Sequence, residues 1–291
     1  MKYITKASDL VTTKTATIEG FSWQANEKLE RANSYISTAE YFMRNAAKIK
    51  NIDDARKDST ICEFLIATCM LSKKSLSHLN IETQNELITK QVDFNKLSEL
   101  EYLKTLAQRY YLTSGDSLGG TMRNVVGQSA QDKLTESIME RLCLLQKSPE
   151  RILNKTNKTV AIKWADRRVM FDMKPKFINN SVDIIVVKGN SAESGNLENP
   201  YDYLCCGELK GGIDPAGADE HWKTAKTALQ RIASTFETNG LNKPKLVFLG
   251  AAIETAMSEE IYNLLSTGWL TGAANINYEN QFTEVIDLII S

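Results

Sequence analysis

The sequence predicts an α/β (α+β) protein in which an all-helical N-terminal region is followed by a mixed sheet flanked by helices. Three observations carry this expectation. Up to about residue 157 apolar residues recur at helical spacing, and no segment alternates as a strand would. Beyond Asn157 the period shifts toward two and culminates in the near-continuous β-branched run Val182-Asp183-Ile184-Ile185-Val186-Val187, typical of a central strand. Further strands and helical segments then alternate to the end of the chain. The boundary divides the 291 residues into 1–157 and 158–291, both of ordinary domain size.

In order along the chain, residues 27–49 form an amphipathic helix. Residues 59–79 carry an apolar stripe through Cys62, Leu65, Ile66, Cys69 and Met70, and 97–112 repeat the pattern with Leu100, Leu103, Leu106 and Tyr110. Asn80 and the Asn51-Ile52-Asp53-Asp54 cluster mark breaks. Residues 114–120, SGDSLGG, read as a tight turn leading into a helix from Thr121 to about Gln146. This turn lacks the Walker lysine and follows no strand, which argues against a nucleotide-binding loop and leaves a structural turn or a contact to nucleic-acid backbone. In the second half, 159–164 and 168–173 alternate as a hairpin, and 189–200 form a polar loop. A buried strand ends at Glu208-Leu209-Lys210, a helix starts with Asp219 as its cap, a strand covers 245–249, a helix covers 257–265, and a last apolar segment closes the chain at 285–290.

Composition excludes several classes. With 42% apolar and 24% charged residues the chain is globular rather than disordered or fibrous. It has no bilayer-length apolar run and no signal-peptide pattern, which places it in the cytoplasm with no membrane partner. Five cysteines without paired CxxC spacing argue against both a disulfide framework and a zinc ribbon. A net charge of -1 hides an uneven distribution. Nine basic residues, Arg167 and Arg168 among them, face three acids over 147–176, whereas eight acids face two lysines over 183–220. A basic stripe beside an acidic pocket suits a polyanion held next to a divalent metal, although a solvated charged loop region would look the same.

The residues that carry chemistry lie in the second region. A carboxylate inside the apolar run 182–187 is costly unless a charged partner or a metal neutralises it, so Asp183 needs a reason. Period-two alternation puts Glu208 and Lys210 on one face of their strand, and sequential strands commonly adjoin, so Asp183 and Glu208 are expected side by side. Two such carboxylates suit Mg²⁺, with water and a phosphate completing the octahedron, and Lys210 is placed to act on the attacking water and the developing charge. The plainer alternative is a buried ion-pair network. His221 heads a helix face formed by Ala225, Ala228, Leu229 and Ile232 and is expected to point toward the sheet, as a satisfied core histidine or in a proton-transfer or phosphate-contact role.

Asp183 with Glu208-x-Lys210 on this strand order resembles the PD-(D/E)XK nuclease superfamily. More narrowly, GELKGGIDPAGADEHWKTA at 207–225, together with SDLVTT at 8–13 and SGDSLGGTMRN at 114–124, is similar to the AvaI/BsoBI family of type II restriction endonucleases. The resemblance implies a homodimeric, Mg²⁺-dependent enzyme whose helical domain embraces double-stranded DNA and whose α/β domain cuts both strands of a palindrome. It implies Asp183 and Glu208 as metal ligands, Lys210 as catalytic lysine, His221 as an additional catalytic residue and Asp214 as a base-contacting acid. The chain departs from the family pattern at Asn180, where a base-contacting lysine is expected, and at Val182, where the superfamily has proline. Asparagine pairs with adenine where lysine prefers guanine, so Asn180 allows a recognised sequence different from the family's CYCGRG. Arg167 and Arg168 are assigned to DNA with the basic stripe. The competing functions are a structure-selective repair or junction nuclease of the same fold and a non-catalytic DNA-binding protein.

Overall fold

The computed structural model describes residues 1–291, the side chains of Lys73 and Lys74 aside. The chain divides into two compact units, Ser22–Asn124 and a second made of Met1–Phe21 with Val125–Ser291. No described helix is long and apolar enough to cross a membrane.

Helices make up the first unit: most of α1 (Lys14–Asn45), then α2 (Ile52–Arg56), α3 (Ser59–Thr68), α4 (Lys73–Leu76), α5 (Ile81–Gln91) and the first half of α6 (Leu100–Leu144). Asn51 and Asn80, which mark breaks in the sequence, do so by capping, and Asp58 caps α3 in the same way. Asn51, Asp58 and Asn80 accept hydrogen bonds from the amides of Asp54, of Thr60 and Ile61, and of Thr83, satisfying donors that a helix N-terminus leaves orphaned. The helix expected over 59–79 stops at Thr68, and Met70 adopts a left-handed φ of 60°. In the core Phe42 stacks on Phe64 at 3.9 Å and Phe64 on Tyr110 at 4.5 Å, with Cys62 and Cys69 buried alongside, the packing role their helical spacing suggests.

The glycine-rich segment 114–120 is not a turn. It lies inside α6, which continues from Leu100 to Leu144 without interruption. Each glycine costs a helix about 1 kcal/mol relative to alanine, and tertiary contacts outweigh this. Thr113, Ser114 and Met122 are buried, and the Thr113 hydroxyl donates to the Ala67 carbonyl at 2.8 Å.

The second unit is built on a seven-stranded sheet in sequential order: β1 (Glu150–Leu153), β2 (Thr159–Trp164), β3 (Arg167–Met173), β4 (Val182–Lys188), β5 (Tyr203–Lys210), β6 (Lys245–Gly250) and β7 (Gly272–Asn275). Strands β1 to β5 pair antiparallel, and β5, β6 and β7 run parallel. The helices α8 (Pro215–Thr238) and α9 (Thr255–Ser266) cover one face through Trp222, Leu229, Ile232 and Ile261. The second half of α6 and α10 (Glu279–Ile290) cover the other through Leu134, Ile138, Val285 and Ile289. The short edge strands β1 and β7 carry too few residues to announce themselves as alternation. The stretch expected as a polar loop over 189–200 contains the one-turn helix α7 (Gly189–Ser194), ended by Gly195 at φ 73°. The vicinal cysteines fill both sides of β5: Cys205 belongs to the α6/α10 face and Cys206 to the α8/α9 face. Burial pushes the Cys205 thiol up to about 12 and Cys206 well above its ordinary value, so neither is a nucleophile.

Candidate active site

Parity along the strands decides which face receives the charged residues. Ile185 and Val187 on β4 and Cys206 on β5 face α8 and α9, so Asp183, Glu208 and Lys210, each an even number of positions away, emerge on that same face. Ile184 pairs with Gly207 in the antiparallel β4/β5 ladder, which brings Asp183 opposite Glu208 at the end of the sheet where β5 terminates. The carboxyl ends of β6 and β7 lie at this end too, the usual location of ligand sites in sheets with parallel strands.

Here the three side chains meet. Lys210 Nζ donates to Glu208 Oε2 at 2.7 Å and to Asp183 Oδ2 at 3.0 Å, and Asp183 Oδ2 also accepts from the backbone amide of Leu209 at 2.9 Å. Glu208 is 3% exposed, and burial, reinforced by the neighbouring Asp183 carboxylate, raises its pKa to about 7 despite the lysine. For Lys210 burial works to lower the pKa, but attraction to Asp183 and Glu208 outweighs it and holds the ammonium above its ordinary value. The donor set fits a hard divalent cation: two carboxylates converge on one point that a positive charge, the ammonium, now takes. Among the described residues no group of three or more His, Cys, Asp or Glu is placed to hold a metal ion.

The other candidates fall differently. Asp214, not Asp219, caps α8: its carboxylate accepts from the Ala216 amide at 3.0 Å, and Pro215 takes the first helical position, where a missing N–H is harmless. Asp219 lies a turn further on, paired with Lys223 at 2.6 Å. The expected stripe of Ala225, Ala228, Leu229 and Ile232 is buried as read, and the earlier start extends it upstream. Trp222 and Ala218 take the sheet-facing stripe, while His221 is exposed instead of pointing toward the sheet. Its imidazole leans back over the turn after Lys210, so close that a Cβ added at Gly212 would stand 3.2 Å from Nε2. Asn180, half-buried, precedes β4 and so sits near Asp183 in the chain.

Arg167 and Arg168 are not brought to this cluster. They pair with Lys188 and Val187 at the far end of β4, about 16 Å from Asp183 at ~3.3 Å per strand residue. Arg167 donates to the Ile290 carbonyl at the C-terminus of α10, and Arg168 to the Glu193 carbonyl. These bonds place the two guanidinium groups at the C-terminal ends of α10 and α7.

The model of the family "Restriction endonuclease BsobI" matches residues 1–291. The chain belongs to the BsobI restriction endonuclease family. It is 34% identical over 314 residues to the type II restriction enzyme BsoBI of Geobacillus stearothermophilus, covering 99% of this chain and 97% of that one. It is 33% identical over 300 residues to the type II restriction enzymes AvaI of a Nostoc species and of Anabaena variabilis, covering 96% of this chain and 95% of each relative. In this member of the BsobI family the motif SDLVTT has a structural role that its residue types alone do not reveal. Thr12 Oγ1 donates to the Ala251 carbonyl at 3.0 Å and accepts from the Ile253 amide at 2.8 Å and from Asn275 Nδ2 at 2.7 Å, tying the N-terminal segment across the ends of β6 and β7. Sequence reasoning missed Asn275, since an asparagine ending a short edge strand looks like any turn residue.

Proposed function

We propose that this protein is a type II restriction endonuclease that hydrolyses phosphodiester bonds in double-stranded DNA at a specific short palindromic or near-palindromic site with Mg²⁺. The observation that carries the reading is the convergence of Asp183 and Glu208, from adjoining strands, on a single cation position with Lys210 between them. Membership in the restriction endonuclease family and the names of its relatives support the same substrate.

Asp183 and Glu208 would hold the divalent cation. When bound, it would supply Lewis-acid charge to the phosphate and a more acidic water. Lys210, displaced from the carboxylates, reaches the same scissile phosphate. Its raised pKa keeps it cationic, so its part is to orient the water and offset charge on the non-bridging oxygens rather than to remove a proton. His221, exposed beside the turn that follows Lys210, is the candidate to accept or deliver that proton. Asn180 and Asp214 flank this centre and are proposed to read base edges, and residues 1–157, helical apart from β1, are proposed to embrace the duplex and dimerise. A palindrome carries two symmetry-related phosphodiesters, and a twofold homodimer offers one site to each.

Incubation with plasmid DNA and Mg²⁺ tests this directly: discrete, reproducible fragments that vanish with EDTA are expected. A structure-selective nuclease would yield no such pattern, and a non-catalytic binder would leave the plasmid intact while binding equally well in chelator. Asp214 separates its two roles by substitution. Asp214→Ala should cost about 1 kcal/mol of stability through the lost helix cap. Asp214→Asn should keep the cap yet change base preference, because a carboxylate accepts from cytosine N4 and an amide prefers adenine. Fragment-end sequencing and thermal melting read the two effects.

A further inference from the structure

The link between β5 and α8 is four residues long, 211–214, and it joins the strand that ends on Lys210 to the helix that carries His221. Each of its first three residues is fixed by contact. Gly211 runs against α6, where an added Cβ would stand 2.6 Å from Ala130 Cβ and 2.9 Å from the Val126 carbonyl oxygen, and Gly212 lies under the His221 ring. Ile213 is 4% exposed and sits on α1 at Gly20, the one helix position there with no side chain. A Cβ on Gly20 would stand 2.5 Å from Ile213 Cγ1 and 2.9 Å from Cγ2. An isoleucine fitted to a bare patch of helix backbone cannot slide without opening a void or colliding with α1.

We propose that Ile213, seated on Gly20, is a positioning residue for catalysis: the contact sets the spacing of Lys210 and His221 over the scissile phosphate. This rests on the nuclease reading above. The contact touches no substrate, so its loss should act on the rate of the chemical step and not on DNA affinity. A misplacement of about 1 Å between reacting groups lowers a rate by up to ~100-fold.

The test is single-turnover and steady-state cleavage of a cognate duplex in saturating Mg²⁺ by Gly20→Ala, Ile213→Ala, Ile213→Val and the double variant Gly20→Ala/Ile213→Ala, with melting temperatures measured alongside. Gly20→Ala and Ile213→Ala should each lower kcat about 10- to 100-fold with KM and DNA affinity within about twofold of wild type. Ile213→Val, which keeps both Cγ atoms, should stay near the wild-type rate. The double variant removes the two nearest atoms that the added Cβ strikes, leaving Ile213 Cβ at 3.0 Å, and should recover about tenfold over Gly20→Ala. Equal rates for all variants, a double variant no faster than Gly20→Ala, or rate losses that follow melting temperature would overturn the inference. If wild type cuts, Glu208→Gln does not, and Ile213→Ala cuts as wild type, the positioning role alone fails. If wild type shows no metal-dependent cutting, the nuclease reading fails and takes this inference with it.

Discussion

Glu208→Gln is expected to lower Mg²⁺-dependent cleavage by on the order of a thousandfold or more and, in the metal-free protein at pH 8, to raise the melting temperature. The activity arm follows from losing one of the two carboxylates proposed to hold the cation. The stability arm follows from the raised pKa of about 7. A carboxyl whose folded pKa lies above its unfolded value of about 4.3 destabilises the fold when ionised. The penalty is absent below the unfolded value, grows as pH rises between the two, and is complete above the folded one. That window corresponds to roughly 4 kcal/mol as an upper figure. An amide of the same shape can still accept from Lys210, so a gain of about 1–2 kcal/mol is expected at pH 8, shrinking toward zero near pH 4. Added Mg²⁺ should stabilise wild type and leave the variant unchanged. A variant less stable than wild type across the whole range would mean that Lys210 stabilises the ionised glutamate more than burial penalises it.

Asn275→Ala is expected to cost about 2–4 kcal/mol, seen as a lower urea midpoint and faster proteolysis before residue 14. Asn275 is fully buried. Its Nδ2 donates to the Leu10 carbonyl at 3.0 Å and to Thr12 Oγ1 at 2.7 Å, and its Oδ1 accepts from Asn277 N at 3.0 Å and Nδ2 at 2.9 Å. Alanine would strand the Leu10 carbonyl away from water and loosen a segment whose Leu10 side chain is itself fully buried. A midpoint within about 0.5 kcal/mol of wild type would show that water replaces the amide and that the N-terminal segment is held by packing instead.

How much of this was legible beforehand differs by element. The run 182–187 reads as a central strand because its β-branched residues are buried on both faces, and it is one. Glu208 and Lys210 share a face because a strand has period two, and the 2.7 Å ion pair follows. The fate of 114–120 was not legible. Local propensity favours a turn wherever glycines cluster, and only contacts of α6 with distant parts of the chain, such as Thr113 to Ala67, 46 positions earlier, reverse that preference. The start of α8 was misplaced for a similar reason. Both Asp214 and Asp219 can cap a helix; the sheet-facing stripe is the expected one, but its upstream end is taken by Ala218 and Trp222, and His221 is exposed.

The sequence by itself determined the family, the mixed sheet and the identity of the charged residues at its end, since these depend on residue type and short-range periodicity. Tertiary structure decided the rest: that Asp183 and Lys210, 27 positions apart, share one hydrogen bond, that Arg167 and Arg168 serve helix ends remote from the cluster, and that Ile213 rests on Gly20. The physical reason is that these contacts join segments far apart in the chain. Their free energy depends on register, burial and fit between surfaces, none of which is a property of a local stretch of residues.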